Sequence, residues 1–138
     1  MTKVSATWQG DWKDAWERDT THLLESRAFV HLGDGELRWA VVNDQPLIDD
    51  DELEGMESNP MWQEIPPLTH SEHHIIFQAW RAGLPYETQE RCNPISIGGF
   101  LEGAPELEGD WQVFHDGTLR ALAEAWMARK GFTLDWRD

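Results

Sequence analysis

The sequence predicts a small single-domain α+β fold. Three observations carry that expectation. Leu68–Leu84, LTHSEHHIIFQAWRAGL, has a clear helix start and a dense apolar face. Ala28–Val42 alternates apolar and polar residues on either side of Gly33-Asp34-Gly35, which is hairpin chemistry. The chain has 138 residues, the size of one hydrophobic core. The expected body is an antiparallel or mixed sheet of about four to five strands packed against three helices.

Residues 1–10 read as a loose lead-in, with Trp8 tucked against the body. A helix is predicted over 12–26. Trp12, Trp16, Leu23 and Leu24 fall near one face, and Asp11 suits the N-cap. Lys13 with Glu17 and Asp14 with Arg18 are opposite charges one turn apart. Thr20 and Thr21 weaken that helix and mark where it can break. The hairpin over 28–42 places Ala28, Val30 and Leu32 on one face of its first strand. Leu37, Trp39 and Val41 share one face of its second.

Residues 44–67 differ in kind and read as an acidic loop segment. Between Asp44 and Glu64 stand eight acids and no Lys or Arg, with Leu47, Ile48, Leu53, Met56, Met61 and Trp62 threaded among them. DDDELEGM suits a short helical turn, because carboxylates favour a helix N-terminus. Pro46, Gly55 and Pro60 keep the segment from being one long helix.

The central helix is predicted over 70–82. Thr69 and Glu72 have capping-box spacing, and Pro66 and Pro67 stand just upstream. Ile75, Ile76, Phe77, Ala79 and Trp80 form an apolar face broad enough for a buried helix. Gly83 suits a left-handed stop, and Pro85 prevents continuation. PYETQERC reads as a connection and EGAPELEGD as a second acidic loop. Strands are expected near 94–101, where Gly98-Gly99 suggests a bulge, and near 111–115, where Trp111, Val113 and His115 alternate. A helix over 118–130, capped by Asp116 or Thr118, carries Leu119, Leu122, Ala123, Trp126 and Met127 at helical spacing. Arg129, Lys130 and Gly131 suit its end, and a last strand over 132–136 alternates Phe132, Leu134 and Trp136.

Composition restricts the function classes. Twenty-six acids against 11 bases give a net charge of −15, a field that repels nucleic acid and anionic membrane and favours cationic partners. Direct nucleic-acid binding and membrane association are therefore not expected. Nine tryptophans supply the core that the aliphatics alone would not. Cys92 is the one cysteine, so no internal disulfide forms and a reducing cytoplasm is the expected compartment. The first residues hold no long apolar run of the signal-peptide kind. No stretch approaches the roughly 20 apolar residues of a membrane helix.

The candidate partner-binding residues are Asp44, Asp49, Asp50, Asp51, Glu52, Glu54, Glu57, Met61, Trp62 and Glu64. Carboxylates steer a basic surface, and apolar side chains supply a desolvated centre. Trp62, beside Met61 with no regular element to bury it, has the character of an anchor for such a partner. Glu102, Glu106, Glu108 and Asp110 are candidate helpers. The competing reading is a solvated loop that keeps the protein soluble. The expected function is an acidic protein-binding module, an inhibitor that covers the cationic surface of a nucleic-acid-handling protein with carboxylates in place of phosphates. An immunity protein that plugs a toxin's site shares the same face. Exposed apolar residues in the segment leave a homodimer open.

Catalytic signals are weak, and no catalytic residue or cofactor is assigned. His70 and His74, one turn apart, are candidates for the ligand pair of a small metal-dependent enzyme, with His115 or Asp116 as further ligands. The spacing is not H-E-x-x-H, and surface histidines are the plainer reading. Cys92 with a distant histidine carries little information as a nucleophile, and no G-x-S-x-G or phosphate-binding glycine loop is present.

Overall fold

The computed structural model describes residues 2–18, 24–91 and 97–138. It is an α+β domain with a four-stranded antiparallel sheet and a separate two-stranded parallel one.

Thr2–Ala6 forms β1, so this part of the expected lead-in is a strand. Val4 and Ala6 point inward from it. β1 pairs in parallel with β6, Phe132–Trp136, in the register Thr2 to Phe132 and Ala6 to Trp136. The Asp138 carboxylate then accepts from the N–H groups of Trp8 (2.8 Å) and Gln9 (2.9 Å). Those two bonds hold its pKa below the usual carboxylate range. An irregular turn over Trp8–Trp12 follows, with Gly10 at φ 112°.

The first helix is short. α1 spans Lys13–Glu17 and stops at Arg18, whose backbone is extended. The Arg18 guanidinium donates to the carbonyls of Ala15 (2.8 Å), Ser26 (2.7 Å) and Ile65, tying together three segments that a continuing helix would separate. Of the helix predicted over 12–26, the described residues form one turn and a half, and residues 19–23 lie outside the described set. Trp12 and Trp16 do face inward, Leu24 is exposed, and Leu23 lies outside the described residues.

β2 (Arg27–His31) and β3 (Leu37–Val42) make the predicted hairpin. Gly35 has φ 75°, and a Cβ there would lie 2.3 Å from Val4 Cγ1, so only glycine lets the turn press against β1. A register shift between Arg27 and Ala28 turns Val41 away from the face of Leu37 and Trp39. The tight turn at Asn43 and Asp44, both at positive φ, leads into β4, Gln45–Pro46. α2 spans Asp50–Ser58, and β5, Trp62–Glu64, completes the order β4-β3-β2-β5.

α3 covers His70–Ala82 with both capping-box bonds, Glu72 N–H to Thr69 Oγ1 at 3.1 Å and Thr69 N–H to Glu72 Oε1 at 3.0 Å. It is less buried than its composition suggests. Ile76, Phe77 and Trp80 face inward, whereas Ile75 is 66% exposed and Ala79 is also exposed. Gly83 ends it with ordinary right-handed angles. The short helices α4 (Tyr86–Glu90) and α5 (Ile97–Gly103) follow. The strand expected near 94–101 is therefore helical from Ile97 onward, and residues 94–96 lie outside the described set. α6 runs from Glu108 to Ala128 and absorbs both the predicted strand at 111–115 and the predicted cap at 116–118.

The two faces of the larger sheet are unequal. Ala28, Val30 and Leu32 join the main core with Ile65 and the helices. In that core Phe77 meets Phe100 at 5.6 Å and Trp111 at 5.9 Å between ring centres, and Trp80 meets Trp111 at 5.3 Å. Trp8 and Trp12 set their edges against Trp136 at 5.3 and 5.6 Å. Among the described residues the opposite face holds only Phe29, Ala40 and Met56 as buried residues, with α2 laid over them.

Candidate binding surface

The acidic segment is a folded layer. Asp49 caps α2 by accepting from the Glu52 N–H at 2.7 Å, and three acids occupy the first turn, where the helix dipole favours them. Met56 is the inward side of that helix. Ile48, Leu53 and Trp62 are partly buried around the same cluster. Asn59 turns the chain back: its carbonyl accepts from Trp62 N–H at 3.0 Å and its side chain from Met61 N–H at 3.0 Å.

This overturns the reading of the segment as an acidic loop studded with free apolar side chains. Leu53 and Met56 are on the inner side of α2, packed with Phe29 and Ala40, and Trp62 sits in a strand with its ring edge-on to His31 at 5.0 Å. Trp62 therefore has a regular element to bury it and is partly committed to packing. Leu47 and Met61 do remain exposed, at 58% and 40%.

The carboxylates divide into two sets. Asp44 accepts from the Glu25 N–H at 2.6 Å, and Asp49 is the cap. Glu52 pairs with Arg38 at 2.7 Å, while Arg27 bridges Glu64 at 2.7 Å and Glu57 at 3.9 Å. The hairpin thus supplies the cations that the segment lacks. Asp50, Asp51 and Glu54 are exposed and have no cation within ion-pairing distance among the described residues.

Between the end of α2 and β5 lies an open groove of about 420 Å³, lined by Phe29, Glu57, Ser58, Asn59, Pro60, Trp62, Gln63 and Glu64. Its floor is aromatic and two carboxylates stand on its rim. Arg27 lies against that rim with its guanidinium 5.4 Å from the Phe29 ring centre. Sequence reasoning found Glu57, Trp62 and Glu64 but missed Phe29, Pro60 and Gln63. Phe29 was hidden in the hairpin, and its one signal was an aromatic on the face opposite Ala28 and Val30.

The other acidic candidates do not extend this surface in a common way. Glu106 pairs with Arg91, and Asp110 accepts from the Trp80 indole at 2.8 Å. Glu102 is exposed on α5 and Glu108 in the first turn of α6.

The histidines gather differently from the expectation. His74 lies 3.1 Å from the Gln78 amide and packs on Phe77. It is His73, and not His70 or His74, that meets His115, at 5.8 Å between rings. Among the described residues no group of three His, Cys, Asp or Glu side chains converges to hold a metal ion, so the His70–His74 pair gains no third ligand from His115 or Asp116. Asp116 instead accepts from the Trp8 indole at 2.7 Å and pairs with Lys13 at 3.5 Å. Burial, then the neighbouring His73, holds the His115 imidazole below its ordinary value, with Asp116 opposing. Cys92 lies outside the described residues. Gly98 and Gly99 belong to α5 and form neither a bulge nor a phosphate loop. No described helix is long and apolar enough to cross a membrane. No family model matches the chain, and no curated protein or solved structure matches it either.

Proposed function

We propose that the chain is an acidic binding module that takes a cationic segment of a partner protein in the α2–β5 groove. One observation carries the reading: an aromatic floor, Phe29 and Trp62, under a rim of two carboxylates, Glu57 and Glu64. The rim already pairs with one guanidinium, that of Arg27, and this pairing supports an arginine as the incoming group. Asp50, Asp51 and Glu54 on the same helix add unneutralised charge that speeds encounter.

A cationic surface of the kind found on nucleic-acid-handling proteins is the target class, and covering it makes the chain an inhibitor. Support comes from the groove and not from a phosphate-like row of carboxylates, because five of the eight acids are engaged within the fold. A reducing cytoplasm suits a chain with a single cysteine.

The test is titration of a short peptide alternating arginine and leucine, at low salt and at about 0.3 M salt. The expected result is saturable binding that weakens roughly tenfold or more at the higher salt. Weakening is also expected in the triple variant Asp50→Asn, Asp51→Asn, Glu54→Gln. Binding that ignores both changes, or no binding at low salt, rejects the reading.

A further inference from the structure

We infer that Arg27 fills the arginine seat of the α2–β5 groove, and that an arginine of the partner binds by taking its place. This rests on the groove being the binding site proposed above, and it names what must leave when a partner enters. Arg27 opens β2, the strand that carries Phe29. Phe29 in turn stands opposite Glu64 in the pairing of β2 with β5. The Arg27 guanidinium donates from Nε to Glu64 Oε2 at 3.0 Å and from Nη2 to Glu64 Oε1 at 2.7 Å. One planar group thus meets both carboxylate oxygens, a fork-to-fork match that arginine makes and lysine does not. The same Nη2 lies 3.9 Å from Glu57 Oε2, near the end of α2. The guanidinium carbon is 5.4 Å from the Phe29 ring centre, within cation–π range. Carboxylate fork, second carboxylate and aromatic ring meet at one place on the rim, and a side chain of this chain already stands in it.

The seat is held loosely enough for exchange. The side chains of Glu57 and Glu64 are 50% and 38% exposed, and that of Arg27 is 22% exposed. A pair that water reaches contributes little, because hydration replaces most of what the contact supplies. An incoming guanidinium makes the two bonds that Arg27 gives up, so the exchange at the rim is close to even. A lone arginine therefore gains almost nothing. A segment that also lays an apolar side chain against Trp62 and Pro60 gains that contact outright, with attraction to Asp50, Asp51 and Glu54 added. The filled seat admits segments and turns away single cations. The competing picture is a fixed Arg27 that only neutralises the rim while the partner settles beside it.

Calorimetric titration of the arginine–leucine peptide at about 0.1 M salt separates the two pictures. Arg27→Met vacates the seat and is expected to bind roughly three- to fivefold tighter than wild type. Arg27→Lys keeps the net charge at −15. It is expected to bind about twofold tighter, because a single-point competitor is easier to displace. Arg38→Met deletes a cation paired with Glu52 and leaves the seat filled, so it is expected to gain less than Arg27→Met. A second readout needs no variant. In wild type the Arg27 Nε–H is bonded to Glu64, and its exchange with solvent, followed by nuclear magnetic resonance, is expected to speed up as the peptide saturates. A partner that settles beside a fixed Arg27 would slow that exchange instead. Arg27→Met that binds no tighter than wild type, a gain that Arg38→Met matches, or an Arg27 Nε–H that the peptide protects overturns the inference and leaves the groove as the binding site. Failure of wild type and Arg27→Met alike to bind overturns both.

Discussion

The two faces of the four-stranded sheet are built on different principles. Toward the helices, Ala28, Val30 and Leu32 meet a core of large rings, with Trp8, Phe77 and Phe100 wholly buried. Toward α2 the buried set is Phe29, Ala40 and Met56, and ion pairs from Arg27 and Arg38 hold the rest. The first face is held by packing between large rings. The second is thin and partly electrostatic, so it is the layer that opens locally at lower cost. A binding surface on the weaker layer can adjust to a partner without disturbing the fold.

Substitutions sharpen this contrast. Phe77→Ala removes a ring packed against Trp80, Phe100 and Trp111, and should cost about 3–5 kcal/mol, read as global loss in urea melts. Met56→Ala should cost about 2 kcal/mol, the low end for such a change, because the thin layer can collapse into the space. Hydrogen exchange in that variant should speed up over 50–64 and leave α3 and α6 unchanged. Equal acceleration everywhere would mean the two faces are one cooperative unit. Gly35→Ala tests the join between hairpin and β1. A positive φ and a 2.3 Å approach to Val4 together predict a loss of about 1–3 kcal/mol. Arg27→Met keeps the stem over Phe29 but removes the pairs to Glu64 and Glu57, with an expected loss of about 1 kcal/mol that shrinks in salt.

The smallest expected effect is titration of the His73–His115 contact. His115 is lowered in the folded state, so below its ordinary value of 6.5 the unfolded chain takes up the proton first. Stability is full above that pH and falls as pH drops toward the lowered value. Nearby Glu17 has the opposite sign. Burial raises its pKa, partly offset by Lys13, so its contribution is full below 4.5 and lost as pH rises through the raised value. Both groups are partly exposed, so each effect should be about 1 kcal/mol or less. Melting His115→Gln between pH 7 and 5 should show a flatter slope than wild type, and Glu17→Gln should melt slightly higher at pH 7.

Much of the architecture was legible in local chemistry. The Thr69–Glu72 box, the Gly33-Asp34-Gly35 turn and the stripe ending at Gly131 each name their own element. The failures share a cause, which is distant packing overriding local pattern. Trp111, Val113 and His115 alternate like a strand, yet Trp111 stacks flat on His115 at 4.9 Å one turn later in a helix. Asp116 and Thr118 look like helix caps, but Asp116 bonds the Trp8 indole from mid-helix. α1 ends where Arg18 finds carbonyls from two later segments, which no local window contains. At the groove, the acids were visible by composition. Their neutralisation by Arg27 and Arg38 depended on the hairpin folding beneath them.

The parallel pairing of β1 with β6 sets an order on assembly. During synthesis Val4 and Ala6 have no strand beside them until Leu134 and Trp136 have emerged, so α1 to α6 are all made before β1 can dock. A ribosome stalled before Phe132 would hold a body whose first tryptophans still lack the ring they close upon.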